Sequence, residues 1–159
     1  MDIRTILVPV DFSEHAEKAL TWALALAEQW RARLILFHVV SVPTPAPIVL
    51  GIHFNLTDFE AALLEDAKAK AQEFVARSGS KTAQLEAKVI SGQPFPEICR
   101  VAEQEKADLI VMGSHGRTGL SHTLLGSVAE RVVRHASCPV LVVGKKAHAS
   151  RETSLVDAK

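Results

Sequence analysis

The fold is decided by residues 108–143, which read DLIVMGSHGRTGLSHTLLGSVAERVVRHASCPVLVV. The stretch opens with a short apolar run at 109–112, which is typical of a buried strand. A polar, glycine-rich loop follows, and after Gly126 the apolar residues recur at helical spacing. A second apolar run at 140–143 predicts another buried strand. The order of the unit is therefore strand, glycine loop, helix and strand.

The helix of this unit is predicted to begin at Ser127, because Ser127 and Glu130 have the spacing of a capping box. The first N–H groups of a helix lack internal partners, and the helix dipole places partial positive charge there. Gly113, Gly116 and Gly126 leave room for a ligand near the backbone. An ordinary surface turn is the alternative, but the strand and helix on either side favour an anion site that fits a phosphate chain. The inward face of the helix is predicted to carry Val128, Ala129, Val132, Val133 and Ala136.

The spacing Gly113-x-x-Gly116, nine further residues and then Gly126-Ser127 resembles the G-2x-G-9x-G-[S/T] signature of the ATP-binding branch of the universal stress protein family. Segments at 6–11, 38–40 and 137–143 are similar to that family as well. The resemblance covers residues 1–144. It implies an open parallel sheet of five strands in the order 3-2-1-4-5, and an adenine nucleotide at the glycine loop.

The rest of the chain predicts a compatible architecture. Strands alternate with helices along the whole sequence, which predicts one α/β domain, Rossmann-like, with a parallel sheet and helices on both faces. Prolines interrupt residues 41–56, which predicts an irregular loop that serves as a lid over the ligand or as an arm on a partner subunit. Alternation at 85–90 predicts an edge strand. Scattered polar residues at 145–159 predict a disordered tail.

Capping residues predict two further helix starts. Ser13 is expected to cap the first helix, and Thr57 with Glu60 forms a capping box at the start of a helix that runs to about Arg77. Gly79 supplies the stop signal after that helix.

Composition excludes several classes of protein. Lys and Arg together number 18, as do Asp and Glu, so no basic surplus favours nucleic acid or an anionic membrane. Cys99 and Cys138 lack a C-x-x-C spacing and are expected to be buried, reduced thiols. The sequence has no signal peptide and no apolar run of about 20 residues, so a cytoplasmic location is expected.

The strand order that the resemblance implies places the first and fourth strands side by side, where open α/β sheets bind ligands. Asp11 follows the first strand and can cap the first helix, hold a cation or accept a hydrogen bond from a ribose hydroxyl. The resemblance assigns Val39 and Val40 to the adenine edge and Met112 to the nucleoside. His38 is expected to pack at the strand end.

The predicted nucleotide-binding residues are Pro9, Val10, Asp11, Val39, Val40, Met112, Gly113, His115, Gly116, Arg117, Gly126, Ser127 and Val128. Asp11 is also the candidate ligand for the Mg²⁺ of Mg-ATP. His115 and Arg117 can contact phosphates or remain solvated, and both alternatives stay open.

No G-x-x-x-x-G-K-[ST] motif and no evident catalytic triad occur in the sequence. Together with the resemblance, which implies an adenine nucleotide, this predicts a regulatory protein that binds ATP, ADP or AMP, with Mg²⁺, and has an unknown protein partner. The alternative is a slow ATP hydrolase or a self-phosphorylating protein. A flavin or redox module is disfavoured, because the sequence has no Tyr and few other aromatic residues. The strand Val140–Val143 is uncharged, and both this property and the resemblance predict a homodimer paired through it.

Overall fold

The computed structural model describes residues 2–42, 56–79, 84–116 and 125–144. Strands and helices alternate along these residues, with the bounds β1 Thr5–Pro9, α1 Glu14–Trp30, β2 Arg33–Val40, α2 Leu56–Arg77, β3 Leu85–Ser91, α3 Pro94–Gln104, β4 Leu109–Gly113, α4 Ser127–His135 and β5 Val140–Val143. Every strand pair is parallel, and the order in the sheet is β3-β2-β1-β4-β5. The predicted fold class and the strand order implied by the resemblance are confirmed.

Side chains of the central strands alternate between two cores, one on each face of the sheet. Ile6 and Val8 of β1 pack with residues of α1 and α2, including Leu20 and Phe74. Leu7, which lies between them, packs on the opposite face with residues of α3 and α4. Burial on both faces explains why the central strands read as continuous apolar runs.

For α1 and α2, the predicted cap at Ser13 and the predicted stop at Gly79 are confirmed, and the predicted start of α2 is wrong. Ser13 is the N-cap of α1, and its hydroxyl accepts a hydrogen bond from the backbone N–H of Ala16 at 3.3 Å. Gly79 follows α2 with a φ of +64°, a left-handed conformation that glycine adopts without strain. The predicted start of α2 at Thr57 is wrong, since the helix already includes Leu56. Thr57 therefore lies inside the helix, whereas an N-cap residue must have a non-helical backbone.

The start of α4 differs from the prediction in its chemistry. The helix begins at Ser127 as expected, but its N-cap is Gly126 and no side chain caps it. The predicted capping box is not formed, and Glu130 pairs instead with Arg134 at 2.9 Å. Val133, expected on the inward face, is 47% exposed. The buried residues of α4 are Ala129 and Val132, so the buried stripe is narrower than the apolar pattern suggests.

The two edges of the sheet differ in charge. At the β3 edge, Glu86 lies 3.6 Å from Arg33 and Lys88 lies 2.7 Å from Glu105. The β5 edge carries no charged side chain, and Leu141 is exposed there. In the part of the chain that the structure describes, no helix is long and apolar enough to cross a membrane. Residues 43–55 of the predicted loop and the predicted tail at 145–159 lie outside the described residues.

Candidate functional site

A cavity of about 240 Å³ opens at the carboxyl ends of the two central strands, β1 and β4. This is the point where the winding of the sheet reverses, which is where open α/β sheets bind ligands. The start of α4 forms one wall, and residues from β2 and from the start of α3 form the apolar wall. The topology therefore brings one polar helix start and one apolar surface into the same cavity.

Nearly all of the predicted nucleotide-binding residues lie on the wall of this cavity. Those that line it are Pro9, Val10, Asp11, Val39, Met112, Gly113, His115, Gly116, Gly126, Ser127 and Val128. Val40 is not among the lining residues, and Arg117 lies outside the described residues. The assignment of these residues to a ligand remains a prediction.

The start of α4 is the most polar part of the wall. The N–H of Gly126 is used within the protein, since it donates to the carbonyl oxygen of Ser114 at 2.7 Å. The N–H groups of Ser127, Val128 and Ala129 come next, and these three residues line the cavity. In the first turn such groups have no acceptor within the helix, and here no side chain caps them. They are therefore available to an anion in the cavity.

The glycines of the motif bring parts of the chain close to one another. A Cβ at Gly113 would lie 2.9 Å from the Cβ of His15, so Gly113 is required for the packing of α1 on the end of β4. A Cβ at Gly116 would lie 2.7 Å from Oδ2 of Asp11, and one at Gly126 would lie 3.2 Å from the carbonyl oxygen of Ser114. The prediction that Gly113 makes room for a ligand is therefore wrong in its reason, because the space is taken by α1.

Asp11 lies in the turn between β1 and α1. Its Oδ1 accepts hydrogen bonds from Ser13, at 3.1 Å from the backbone N–H and at 2.6 Å from the hydroxyl. Its Oδ2 lies against Gly116, 2.7 Å from the position that a Cβ would take there. One carboxylate oxygen thus supports the start of α1, as the capping alternative predicts, and the other lies on the side of the glycine loop.

Val39 presents backbone groups to the cavity. The carbonyl of Phe37 accepts from the N–H of Val10 on the β1 side, and the carbonyl of Val40 accepts from Gly92 on the β3 side. Backbone groups of successive strand residues point to opposite sides, so those of Val39 face the β1 side, beyond the end of β1. The backbone groups of Val40 face β3 instead. The two residues that the resemblance assigns together to the adenine edge therefore face opposite sides of β2.

Several lining residues are not among the predicted nucleotide-binding residues. They are Ala16, Phe37, His38, Ser41, Pro94, Ile98, Ser114 and Ala129. Ser114 is buried, and it joins three segments: its N–H donates to Val143, its carbonyl accepts from Gly126, and its hydroxyl lies 3.0 Å from Nδ1 of His115. Only its position inside the glycine motif could have drawn attention to it.

The two cysteines, expected to be buried, are only partly buried in the structure. Burial raises the pKa of the Cys138 thiol, and burial also raises the pKa of the Cys99 thiol. Both therefore favour the protonated form, which is a poor nucleophile and metal ligand. Within the described ranges, no three His, Cys, Asp or Glu residues come together as a metal site.

Comparison with known proteins agrees with the fold. The model of the universal stress protein family matches residues 2–144. The chain belongs to the universal stress protein family. Universal stress protein MJ0577 of Methanocaldococcus jannaschii is 35% identical over 155 residues, which cover 90% of this chain and 96% of that protein. The solved structure of MJ0577 superposes with a TM-score of 0.78 at 34% identity and covers 93% of this chain and all of that one.

Two other structures of universal stress proteins share the fold and hold nucleotides. One, in complex with cAMP, has a TM-score of 0.67 at 24% identity and covers 94% of this chain and all of that one. The other, from Archaeoglobus fulgidus in complex with dAMP, has a TM-score of 0.53 at 21% identity and covers 90% of this chain and 99% of that one.

Proposed function

We propose that this universal stress protein is a regulatory module that binds an adenine nucleotide, ATP or its products ADP and AMP, in the cavity between β1 and β4. It would belong to the branch of the family that carries the glycine motif. The observation that carries the proposal is the uncapped start of α4, whose N–H groups line a cavity with an apolar far wall. This combination fits a ligand with a phosphate chain at one end and a flat, largely apolar ring at the other.

The phosphate chain would lie at the start of α4. A helix dipole alone stabilises a charge at an exposed helix end by only about 0.3–1 kcal/mol, so several donors must act together. The N–H groups of Ser127, Val128 and Ala129 and the hydroxyl of Ser127 provide them. Mg²⁺ would take most of its ligands from phosphate and water, as is usual for this ion, and Asp11 would be its candidate protein ligand.

The base would lie against the apolar wall near Val39. An exposed pair of strand groups, one N–H and one C=O, complements the ring nitrogen and the amino group of adenine. Guanine presents an N–H and a carbonyl at the corresponding positions. The backbone N–H would then face the N–H of guanine, and the backbone C=O would face its carbonyl, so neither hydrogen bond could form. Phe37, Ile98 and Met112 supply apolar contacts for the ring. The cAMP and dAMP complexes of the two family members support an adenine ligand.

The test is to identify what the purified protein carries and what it binds. Nucleotide released by acid denaturation is identified by mass spectrometry, and ATP, ADP, AMP and GTP are titrated by calorimetry with and without Mg²⁺. We expect an adenine nucleotide in the first experiment and preference over GTP in the second. Absence of nucleotide, together with no binding in any titration, would overturn the proposal.

A second candidate function is slow ATP hydrolysis or self-phosphorylation with Mg²⁺ held by Asp11. The position of the Asp11 carboxylate opposite Gly116 favours it, because a cation there would be close to a phosphate chain. Turnover of ATP is measured for the native protein and for Asp11→Asn. If the native protein forms product and Asp11→Asn does not, the enzymatic function is favoured. If both turn over ATP only at the background rate, the function as a regulatory module is favoured.

A homodimer paired through β5 accompanies the proposal. The edge is uncharged and exposes Leu141, whereas the β3 edge carries ion pairs. Charged residues protect an edge against pairing, and an unprotected edge can pair with a second copy. A two-fold axis that relates β5 to itself makes this pairing antiparallel. Regulation would then act through the conformation or the partner choice of the dimer.

The hydrogen bonds of β5 determine how the dimer is tested. Ile110 donates to the carbonyl of Pro139, and Ser114 donates to that of Val143, so odd-numbered residues of β5 face β4. Leu141→Pro should therefore remove a bond of the sheet and lower the melting temperature. Val142→Pro should remove only an outward N–H and give a folded monomer by light scattering. A stable dimer of Val142→Pro would contradict this interface.

A further inference from the structure

His38 stands at the point where the pairing of β1 with β2 ends. The last residues in register are Pro9 and Phe37, and one more backbone bond follows, from the N–H of Val10 to the carbonyl of Phe37 at 2.8 Å. In a continued parallel ladder, the next bond would join the N–H of Val39 to the carbonyl of Val10. That bond is absent among the described residues, and β1 ends at Pro9.

The carbonyl of Val10 has a different partner. Nδ1 of His38 lies 2.7 Å from it, and since a carbonyl can only accept, Nδ1 must carry a proton. The imidazole thus takes the acceptor that the N–H of Val39 would otherwise use. The Val39 groups are left facing the cavity.

The ring of His38 also supports the turn that carries Asp11. It lies against the ring of Phe12, with 4.4 Å between the centroids. Phe12 has a φ of 64°, a left-handed conformation that is strained for a bulky side chain and persists only where its surroundings hold it. Asp11 lies between the two residues that His38 contacts, Val10 and Phe12. Its Oδ2 lies against Gly116, so a shift of the turn would move the carboxylate relative to the glycine loop.

We propose that His38 is a positioning residue of the nucleotide site: its imidazole ends the β1–β2 ladder at Val10, which leaves the N–H of Val39 available to the base and fixes the turn that carries Asp11. The proposal rests on the proposed function, because Val39 and Asp11 can act in binding only if a nucleotide occupies the cavity. The ended ladder is, however, a property of the unliganded protein and can be measured there.

The first experiment needs no ligand. Nitrogen-15 NMR of the imidazole reports the tautomer, and we expect the Nδ1–H form for His38 in the native protein. Amide hydrogen exchange reports the Val39 N–H, which we expect to exchange fast in the native protein and at least ten-fold more slowly in His38→Phe, where Val10 can accept from it. An Nε2–H tautomer, or a Val39 amide that is protected in the native protein, would overturn the proposal even if no variant folds.

The second experiment uses ADP and inorganic pyrophosphate as probes in calorimetry. His38→Phe keeps an aromatic ring against Phe12 but lacks the donor, and we expect a five- to ten-fold loss of ADP affinity, roughly what one hydrogen bond contributes. Pyrophosphate affinity should stay within two-fold, because the phosphate wall is unchanged. His38→Asn places an N–H close to the position of Nδ1 and should restore ADP affinity to within three-fold of the native value.

The outcomes separate this proposal from the proposed function. If the native protein binds neither probe, the proposed function fails. The tautomer of His38 and the exchange rate of the Val39 amide then still show whether His38 ends the ladder. If ADP binds and His38→Phe keeps full affinity, or if His38→Asn is as weak as His38→Phe, the positioning role is wrong. Weaker ADP binding with an unchanged exchange rate at Val39 would assign His38 to direct ligand contact and would also overturn it.

Discussion

Two helices begin at the carboxyl ends of the two central strands, and their first turns are built in opposite ways. At the start of α1, the hydroxyl of Ser13 accepts from the N–H of Ala16, and Asp11 accepts from Ser13. The first turn of α1 also carries two acidic residues, Glu14 and Glu17. At the start of α4, the N-cap is a glycine with no side chain to offer. One helix start is satisfied by its own residues, and the other presents donors to the cavity.

The comparison teaches that position in the fold does not by itself make an anion site. Both helix starts lie at the same edge of the sheet and have equivalent dipoles. The start of α3 also borders the cavity, but Pro94 and Pro96 remove two of its N–H groups. An acidic residue in the first turn does not separate the helices, since α3 has Glu97 and α4 has Glu130 at the equivalent position. Of these three helix starts, α4 alone has neither a side-chain cap nor a proline in its first turn. The choice of capping residue selects where an anion can bind.

The largest effect is expected when the open helix start is given a carboxylate of its own. Gly126→Glu should lower nucleotide affinity by more than about a hundred-fold, because the side chain brings negative charge and bulk to the phosphate position. Calorimetry with ATP, beside a thermal melt, measures both effects. Gly126→Ala is the matched control and should keep most of the affinity. Unchanged ATP binding in Gly126→Glu would remove the phosphate site from α4.

A second expected effect falls on stability. Gly113→Ala would place a methyl group 2.9 Å from the Cβ of His15, so α1 must move away from β4. We expect the free energy of unfolding to fall by about 1–3 kcal/mol, as for other overpacked cores. Gly144→Ala is the control, because nothing lies within 4 Å of its new Cβ. Equal urea midpoints for the two variants would mean that α1 is not held against β4 at this point.

A smaller effect on ATP affinity is expected when the carboxylate of Asp11 is replaced by an amide. Asp11→Asn keeps an oxygen that can accept from Ser13 but removes the charge. If Asp11 organises Mg²⁺, ATP affinity should fall by about ten-fold in the presence of Mg²⁺, since a charged contact contributes roughly 1.5–3 kcal/mol, and little in the presence of a chelator. A loss that is the same in both conditions would assign the carboxylate to the ribose. Full affinity in both would leave Asp11 as a support of α1.

The smallest effects come from the two serines at the helix starts. Ser13→Ala removes a cap and should lower the free energy of unfolding by about 1 kcal/mol with little change in ATP affinity. Ser127→Ala should change the free energy of unfolding by less than about 0.5 kcal/mol, because no side-chain cap is lost there. It should instead weaken ATP binding two- to five-fold. The reverse pattern, with Ser127 needed for stability, would contradict the difference between the two helix starts.

The fold could be predicted from the sequence because its signals are local and repeated. Continuous apolar runs mark the central strands, and Ser13 and Gly79 mark helix boundaries without help from distant residues. For α4, the sequence predicts the first residue of the helix but not which residue is its N-cap. Gly126 and Ser127 are both acceptable N-cap residues, and the choice is consistent with the bond from Gly126 to Ser114, which a capping pattern does not contain.

The site could be predicted as a set of residues but not as a set of contacts. A glycine is required at Gly113 because α1, a helix distant in the sequence, packs against it through His15. The spacing of residues in a motif does not predict such a contact. Val39 and Val40 are neighbours in sequence, yet only the register of β2 shows which of them faces the cavity. His38 could be predicted to lie at a strand end, but its bond to Val10 depends on where β1 turns away.

The bond between Gly126 and Ser114 closes the chain on itself across residues 115–125. The entropy of closing a loop grows only with the logarithm of its length, so that doubling the length adds about 0.6 kcal/mol. An insertion between Gly116 and Gly126 should therefore cost little stability, because Ser114 still joins the two ends. Ser114, Gly116 and Gly126 have no such latitude, since their backbones are in close contact with one another or with Asp11.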